Sequence, residues 1–295
     1  MAYLETIATY MGINILLALS VYVIFMTGQL SVGQGGFFAI GAYASGILTL
    51  LYGVPYIPAL LLGGLLAGLA GLGVGIPALR LRGLYLAIAT LGFGEMMKAF
   101  LLNFRFQKTI GGEVVGPAGG TGFRFIKPYT SLGWVAVFVV LAIVFFLLLS
   151  RSRLGYALDV IRQDEVAAAS IGIPVTRLKV ASFATGGFLA GLAGGLHSHF
   201  LTYIGPPDFG LLLSVSALAY AAIGGIQTFW GPVLGAVVLI GLPEMLRFLS
   251  EFRMMLYGLL LVLVMIVRPR GILDRALLAR LGGLVRLRDS SAAAR

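Results

Sequence analysis

The chain has 295 residues, of which 59% are hydrophobic and a further 42 are glycine. Only 11% are Asp, Glu, Lys or Arg, against ~25% in ordinary soluble domains. These charged residues are too few to cover the surface of a soluble protein of this size. The mean hydropathy of +1.01 supports the same conclusion. The long apolar runs also exclude a β-barrel, whose strands are short alternating segments. The composition therefore predicts an all-α polytopic membrane protein.

The chain contains no cysteine, which excludes disulfides, thiol catalysis and cysteine metal sites. A net charge of +10 would suggest nucleic-acid binding in a soluble protein. In a membrane protein, it is explained by the excess of Lys and Arg on the cytoplasmic side. We therefore expect no nucleic-acid partner. The first apolar run lacks the basic start of a signal peptide and is predicted to be a retained span.

A helix needs about 20 apolar residues to cross the ~30 Å hydrocarbon core of a bilayer. This length predicts about nine spans, within a range of roughly eight to ten. Two regions are ambiguous: 83–102, because it is charged, and 201–230, because Gly and Pro interrupt it. The predicted spans are 7–27, 31–52, 56–76, 83–102, 131–150, 178–201, 209–226, 231–248 and 253–268.

The basic residues predict the orientation of these spans. Most of the 21 Lys and Arg residues fall in three regions on one side: the short loop before residue 83, the loop 151–177 and the tail 269–295. Because Lys and Arg concentrate in cytoplasmic loops, we expect these regions and the C-terminus in the cytoplasm. Residues 103–130 then form the largest external loop, and residues 1–268 form one transmembrane domain.

Glycine pairs four residues apart recur in the predicted spans, as at Gly64 and Gly68 or Gly187 and Gly191. Small residues at this spacing let helix backbones approach closely in lipid. We therefore predict glycine-rich helix packing. The denser run 28–36, GQLSVGQGG, adds amide and hydroxyl groups and is a candidate broken-helix segment beside a translocation pathway.

Motifs of known catalytic chemistry are absent from the sequence. No lysine follows a GxxxxG pattern, so we do not expect the chain to bind ATP through a P-loop. His197 and His199 are more typical of packing than of metal binding. Glu95 and Lys98 fit either a polar element of a pathway or an internal ion pair near a helix end. We predict a protein that is not an enzyme and holds no cofactor or metal.

The charged loop between two predicted spans is the most informative segment. Residues 154–170 have helix-forming composition, and Gly172 and Pro174 then follow in the manner of a helix stop. A short amphipathic helix held between two spans is suited to receive force from a cytosolic motor protein. The plainer alternative is a solvated connector.

This loop resembles the cytoplasmic coupling loop of ABC importer permeases, with Glu165, Ala167, Ala168 and Gly172 in similar order. Further segments resemble the LivM-type permease of branched-chain amino acid ABC importers, and the likeness covers nearly the whole chain. The stretch RLRGLYLAIATLGFGE favours the M-type over its H-type partner. The segments are TGQLSVGQGGFFAIGAYASG, LRLRGLYLAIATLGFGEM, FATGGFLAGLAGGL, IGGIQTFWGPVLGA and YGLLLVLVMIVRPRGIL.

The resemblance implies a subunit of a bacterial or archaeal plasma membrane, surrounded by lipid. It implies pairing with a homologous H-type permease, two cytosolic ATPases that bind ATP and Mg, and an extracytoplasmic substrate-binding protein. The expected substrates are leucine, isoleucine and valine. Urea, short-chain amides and other amino acids are alternatives within the family, and a secondary transporter, a channel or a membrane scaffold is a more remote one.

Two sets of residues are predicted to carry this function. The resemblance places ATPase docking on the cytoplasmic loop, with a coupling helix that seats on the ATPase. The polar residues of the glycine-rich run and of the fourth span are expected along the translocation pathway. The docking residues are Arg162, Asp164, Glu165, Ala168 and Gly172, and the pathway residues are Ser31, Gln34, Thr90 and Glu95.

Overall fold

A computed structural model describes residues 2–78, 81, 83–110, 113–245 and 258. Its helical fold confirms the all-α polytopic class. The helices are α1 (Ala2–Phe25), α2 (Gln34–Leu51), α3 (Tyr56–Ala78), α4 (Leu84–Asn103), α5 (Leu132–Ser150), α6 (Arg153–Gln163), α7 (Glu165–Ser170), α8 (Val175–Leu201), α9 (Leu211–Gly224) and α10 (Trp230–Met245).

Seven helices within the described ranges are long and apolar enough to cross a membrane. They are α1 to α5, α8 and the segment Pro206–Gly224, in which a 3-10 turn precedes α9. These helices correspond to the first seven predicted spans, and α10 corresponds to the eighth. The ninth predicted span and the tail 269–295 lie outside the described residues, so the total of nine stays a prediction.

Within residues 1–218, helix α8 is central and packs against α1, α2 and α3. The backbones meet at glycines. A Cβ atom added at Gly41 of α2 would overlap the carbonyl of Gly191, and one added at Gly194 would overlap the carbonyl of Phe38. The glycines therefore allow backbone contact that any larger residue would prevent, which confirms glycine-rich helix packing.

The loop 103–130, which is predicted to be external, contains a small antiparallel sheet that the sequence did not predict. Strands β1 (Lys108–Ile110), β2 (Glu113–Pro117) and β3 (Phe123–Arg124) pair in that order. Strands this short carry too little alternation to reveal themselves in a sequence. The buried Phe123 also exchanges backbone hydrogen bonds with Ile204, at 2.8 and 3.0 Å, which ties this loop to the segment after α8.

The loop 151–177, which is predicted to be cytoplasmic, forms two helices, α6 and α7, where one helix was expected over residues 154–170. Asp164 interrupts them with an extended backbone, at φ −153° and ψ 110°. Its Oδ1 accepts hydrogen bonds from the amides of Val166 at 2.8 Å and Ala167 at 3.0 Å. Asp164 is therefore the N-cap of α7, a role for which a short acceptor side chain is favoured.

The chain divides into two compact units, residues 1–218 and 219–295. In the described part of the second unit, α10 packs against the last turn of α9 at glycines. A Cβ at Gly224 would overlap the carbonyl of Gly231, and one at Gly235 would overlap that of Tyr220. Gly225, at φ +110°, forms the turn in a conformation that favours glycine.

Candidate functional site

An irregular segment, residues 26–33, joins α1 to α2 and is buried along much of its length. Two of its backbone amides donate to hydroxyl groups. The amide of Val32 donates to Thr90 Oγ1 of α4 at 3.0 Å, and the amide of Gly33 donates to Ser31 Oγ at 3.4 Å. The glycine-rich run forms an irregular connection between two helices and brings Ser31 and Thr90 to one place, while its position beside a translocation pathway stays a prediction.

Gln34 begins α2 and is fully buried. Its Nε2 donates to the carbonyl of Ser20 in α1 at 3.3 Å, whereas its Oε1 has no hydrogen-bond partner among the described residues. The next amide, of Gly35, donates to Ser214 Oγ of α9 at 2.9 Å. Sequence reasoning missed Ser214, because nothing in the sequence links residues so far apart.

Glu95 lies apart from the other three predicted pathway residues. Its Oε2 is 3.3 Å from Lys98 Nζ, and its Oε1 accepts a hydrogen bond from the amide of Leu211 at 2.9 Å. Its side chain is 43% exposed, whereas Ser31, Gln34 and Thr90 are buried. The structure thus groups three predicted residues at a buried helix junction and leaves Glu95 on the surface of this chain.

The charged loop 151–177 is held together by a small apolar core. Ala168 of α7 is fully buried in it, with Ile161 of α6 and Val175 of α8. An ion pair of 2.7 Å joins Glu165 Oε2 to Lys179 Nζ in the first turns of α8. Lys179 is only 7% exposed, and the sequence did not identify it as a partner of Glu165. These contacts fasten α7 to the start of the central helix.

The same loop meets the irregular segment between α1 and α2. A Cβ added at Gly28 would lie 3.4 Å from the Cα of Arg162, which itself forms an ion pair of 3.2 Å with Asp159. A cavity of about 220 Å³ lies at this junction. Its walls include Gly28, Gln29, Arg162, Glu165 and Lys179. Two of the predicted docking residues therefore lie beside the broken-helix segment.

His197 and His199 near the end of α8 pack against aromatic rings. The ring of His197 is 5.3 Å from that of Phe38, and the ring of His199 is 5.1 Å from that of Tyr56. Within the described ranges, no three His, Asp or Glu side chains are grouped as a metal site. The packing interpretation of the two histidines agrees with this geometry.

Comparison with known proteins identifies the family. A model described as the permease component of branched-chain amino acid transport systems matches residues 3–265. The high-affinity branched-chain amino acid transport permease LivM of Salmonella typhimurium is 34% identical over 300 residues, covering 90% of this chain and 69% of that protein. LivM of Escherichia coli K12 gives the same identity and coverage.

The second type of permease is also similar, over a shorter length. LivH of Escherichia coli K12 is 33% identical over 146 residues, which cover 48% of this chain and 46% of that protein. No solved structure matches the chain. Since the family model spans most of the sequence and the LivM relatives cover 90% of it, the chain belongs to the permease components of branched-chain amino acid transport systems.

Proposed function

We propose that this chain is the transmembrane subunit of an ATP-driven importer and forms half of the translocation pathway for leucine, isoleucine and valine. The observation that carries the proposal is the 34% identity to LivM over 90% of the chain. The similarity to LivH supports a permease pair, in which this chain is the M-type member. A substrate-binding protein on the outer side would deliver the amino acid.

In this proposal, two cytosolic ATPases bind ATP and Mg, and one of them docks on α6 and α7. Arg162, Glu165 and Gly172 provide the charged and turning positions, while Asp164 caps α7. Ala168 acts through packing, because it is fully buried in the apolar core of the loop. The loop is suited to transmit force since it is fastened to α8 through Lys179 and lies against Gly28.

The helix break at residues 26–33 is the element on which this force would act. Its backbone amides are held by Ser31 and Thr90, and Gln34 anchors the start of α2 to α1. These hydroxyl groups can exchange partners when the segment shifts, because each hydrogen bond that they accept from this backbone is worth only about 1 kcal/mol net. We therefore assign these three residues to a gate at the inner end of the pathway.

The proposed substrate is tested by uptake of labelled leucine and labelled urea, side by side, in cells with and without this gene. We expect deletion to abolish the leucine uptake that the intact gene supports and to leave urea uptake unchanged. Loss of urea uptake alone would keep the architecture but contradict the substrate. Uptake that survives ATP depletion and falls when the ion gradient is dissipated would instead support a secondary transporter.

A further inference from the structure

Two opposite charges lie in the second half of α4, Glu95 near its middle and Lys98 one turn further on. Glu95 is the twelfth residue of this 20-residue helix, so it lies ~16 Å from the first residue at 1.5 Å per residue. Charged side chains at such depth are costly and face protein, a water-filled cavity or a substrate path, and not lipid. Yet the side chains of Glu95 and Lys98 are 43% and 31% exposed on this chain. The exposed face of α4 is therefore not a lipid face.

Helix α5 provides the contrast. Like α4, it leaves most of its side chains uncovered within this chain. Its sequence, LGWVAVFVVLAIVFFLLLS, contains no charged residue, as expected of a helix surrounded by lipid. Since both helices are uncovered and only α4 carries charges in its middle, α4 is the one that borders a polar path or a second subunit.

A helix start lies directly opposite the charged pair. The amide of Leu211, the first residue of α9, donates to Glu95 Oε1 at 2.9 Å. Discontinuous helices that begin near the middle of the membrane build substrate sites in many transporters. Gly210 also lies beside the pair, because a Cβ there would lie 3.2 Å from Lys98 Nζ and 3.5 Å from Glu95 Oε1.

We propose that Glu95 and Lys98 bind the charged end of an amino acid in transit, with the α-ammonium group at Glu95 and the α-carboxylate at Lys98. This inference rests on the proposed function. On binding, Lys98 exchanges its contact with Glu95 for the carboxylate of the substrate, so every charge keeps a partner. The amide of Leu211 stays on Glu95 and holds it in place.

Such a site would bind the α-ammonium and α-carboxylate groups that leucine, isoleucine and valine share. Their side chains would contact apolar surfaces nearby. The exposed side chain of Leu211 lies next to the pair and provides such a surface. Weak, shared recognition of this kind suits a pathway that must release its substrate. The competing explanation is that the pair binds an opposite charge pair on the second permease subunit.

The test uses the complete importer in proteoliposomes: this chain, its partner permease, the ATPases and the binding protein. The quantity measured is leucine taken up per ATP hydrolysed. The variants are Glu95→Gln and Lys98→Met, with Lys98→Arg as the conservative replacement. Glu5→Gln and Lys127→Met are matched controls, because both residues are charged and exposed outside α4. Copurification of the partner permease is measured for every variant.

We expect Glu95→Gln and Lys98→Met each to lower uptake per ATP at least tenfold with the partner permease still present. Lys98→Arg should recover most of the loss, and the controls should match the unaltered importer. Unchanged uptake in both variants would overturn the inference, and so would loss of the partner permease, which would make the pair a subunit contact. No leucine uptake by the unaltered importer would overturn the proposed function and this inference with it.

Discussion

Single glycines decide how closely the central helices of this protein approach. Gly41 faces the carbonyl of Gly191 so closely that a Cβ atom has no room, whereas Gly73 of α3 has no atom within 4 Å of the position that a Cβ would take. Both glycines lie inside predicted spans, and the sequence does not distinguish them. What separates them is the neighbouring helix, which only the fold reveals.

We therefore expect Gly41→Ala to destabilise the protein and Gly73→Ala to leave it unaffected. Overpacking of this kind costs about 1–3 kcal/mol, because α2 and α8 must move apart. The measurement is the temperature at which half of the purified, detergent-solubilised protein is lost from the monodisperse fraction. Gly41→Ala should lower it by several degrees. Equal values for the two variants would contradict the backbone contact between α2 and α8.

At the scale of elements, the loop 151–177 shows which local structure a sequence pattern predicts and which contacts it does not. The composition of residues 154–170 correctly indicated helix. The break at Asp164 was visible in principle, because Asp followed by Glu-Val-Ala-Ala is typical of a new helix start. The ion pair between Glu165 and Lys179 could not be predicted from the sequence, since it depends on how α7 folds back against α8.

That ion pair gives a prediction for the whole loop. Glu165→Lys would place a second cation beside Lys179, which is now 2.7 Å from the carboxylate. We expect α7 to move from α8 and uptake per ATP hydrolysed to fall at least fivefold, with assembly partly retained. The double variant Glu165→Lys with Lys179→Glu restores opposite charges and should recover part of the coupling. Full uptake by Glu165→Lys alone would mean that Glu165 is not one of the residues that couple the ATPase to transport.

The helices of the first unit were more predictable than their connections. Apolar length alone located α1 to α5, because a long uninterrupted apolar run can satisfy its backbone within lipid only as a helix. The ends were less accurate: α8 was predicted from residue 178 and begins at Val175, since its first turn carries the charged Arg177. The sheet in the loop 103–130 escaped prediction because its strands are too short to show alternation, and the bridge from Phe123 to the distant Ile204 has no signal in the sequence.

At the scale of the whole molecule, orientation and span number can be tested together. The chain has no cysteine, so a single introduced cysteine can be labelled without background from native thiols. Lys127 and Ser170 are exposed and are separated by one spanning helix, α5. A membrane-impermeant maleimide applied to intact cells should label Lys127→Cys and not Ser170→Cys, which should react only after permeabilisation. The reverse pattern would invert the predicted orientation.

A third position, Ala294→Cys in the predicted tail, then tests the number of spans. If four spans follow the cytoplasmic loop, as a total of about nine requires, position 294 lies on the same side as Ser170. Its labelling should therefore need permeabilisation too. Labelling of position 294 in intact cells, with Ser170→Cys still protected, would mean an odd number of spans after the loop. The total would then be even, and the C-terminus would lie outside.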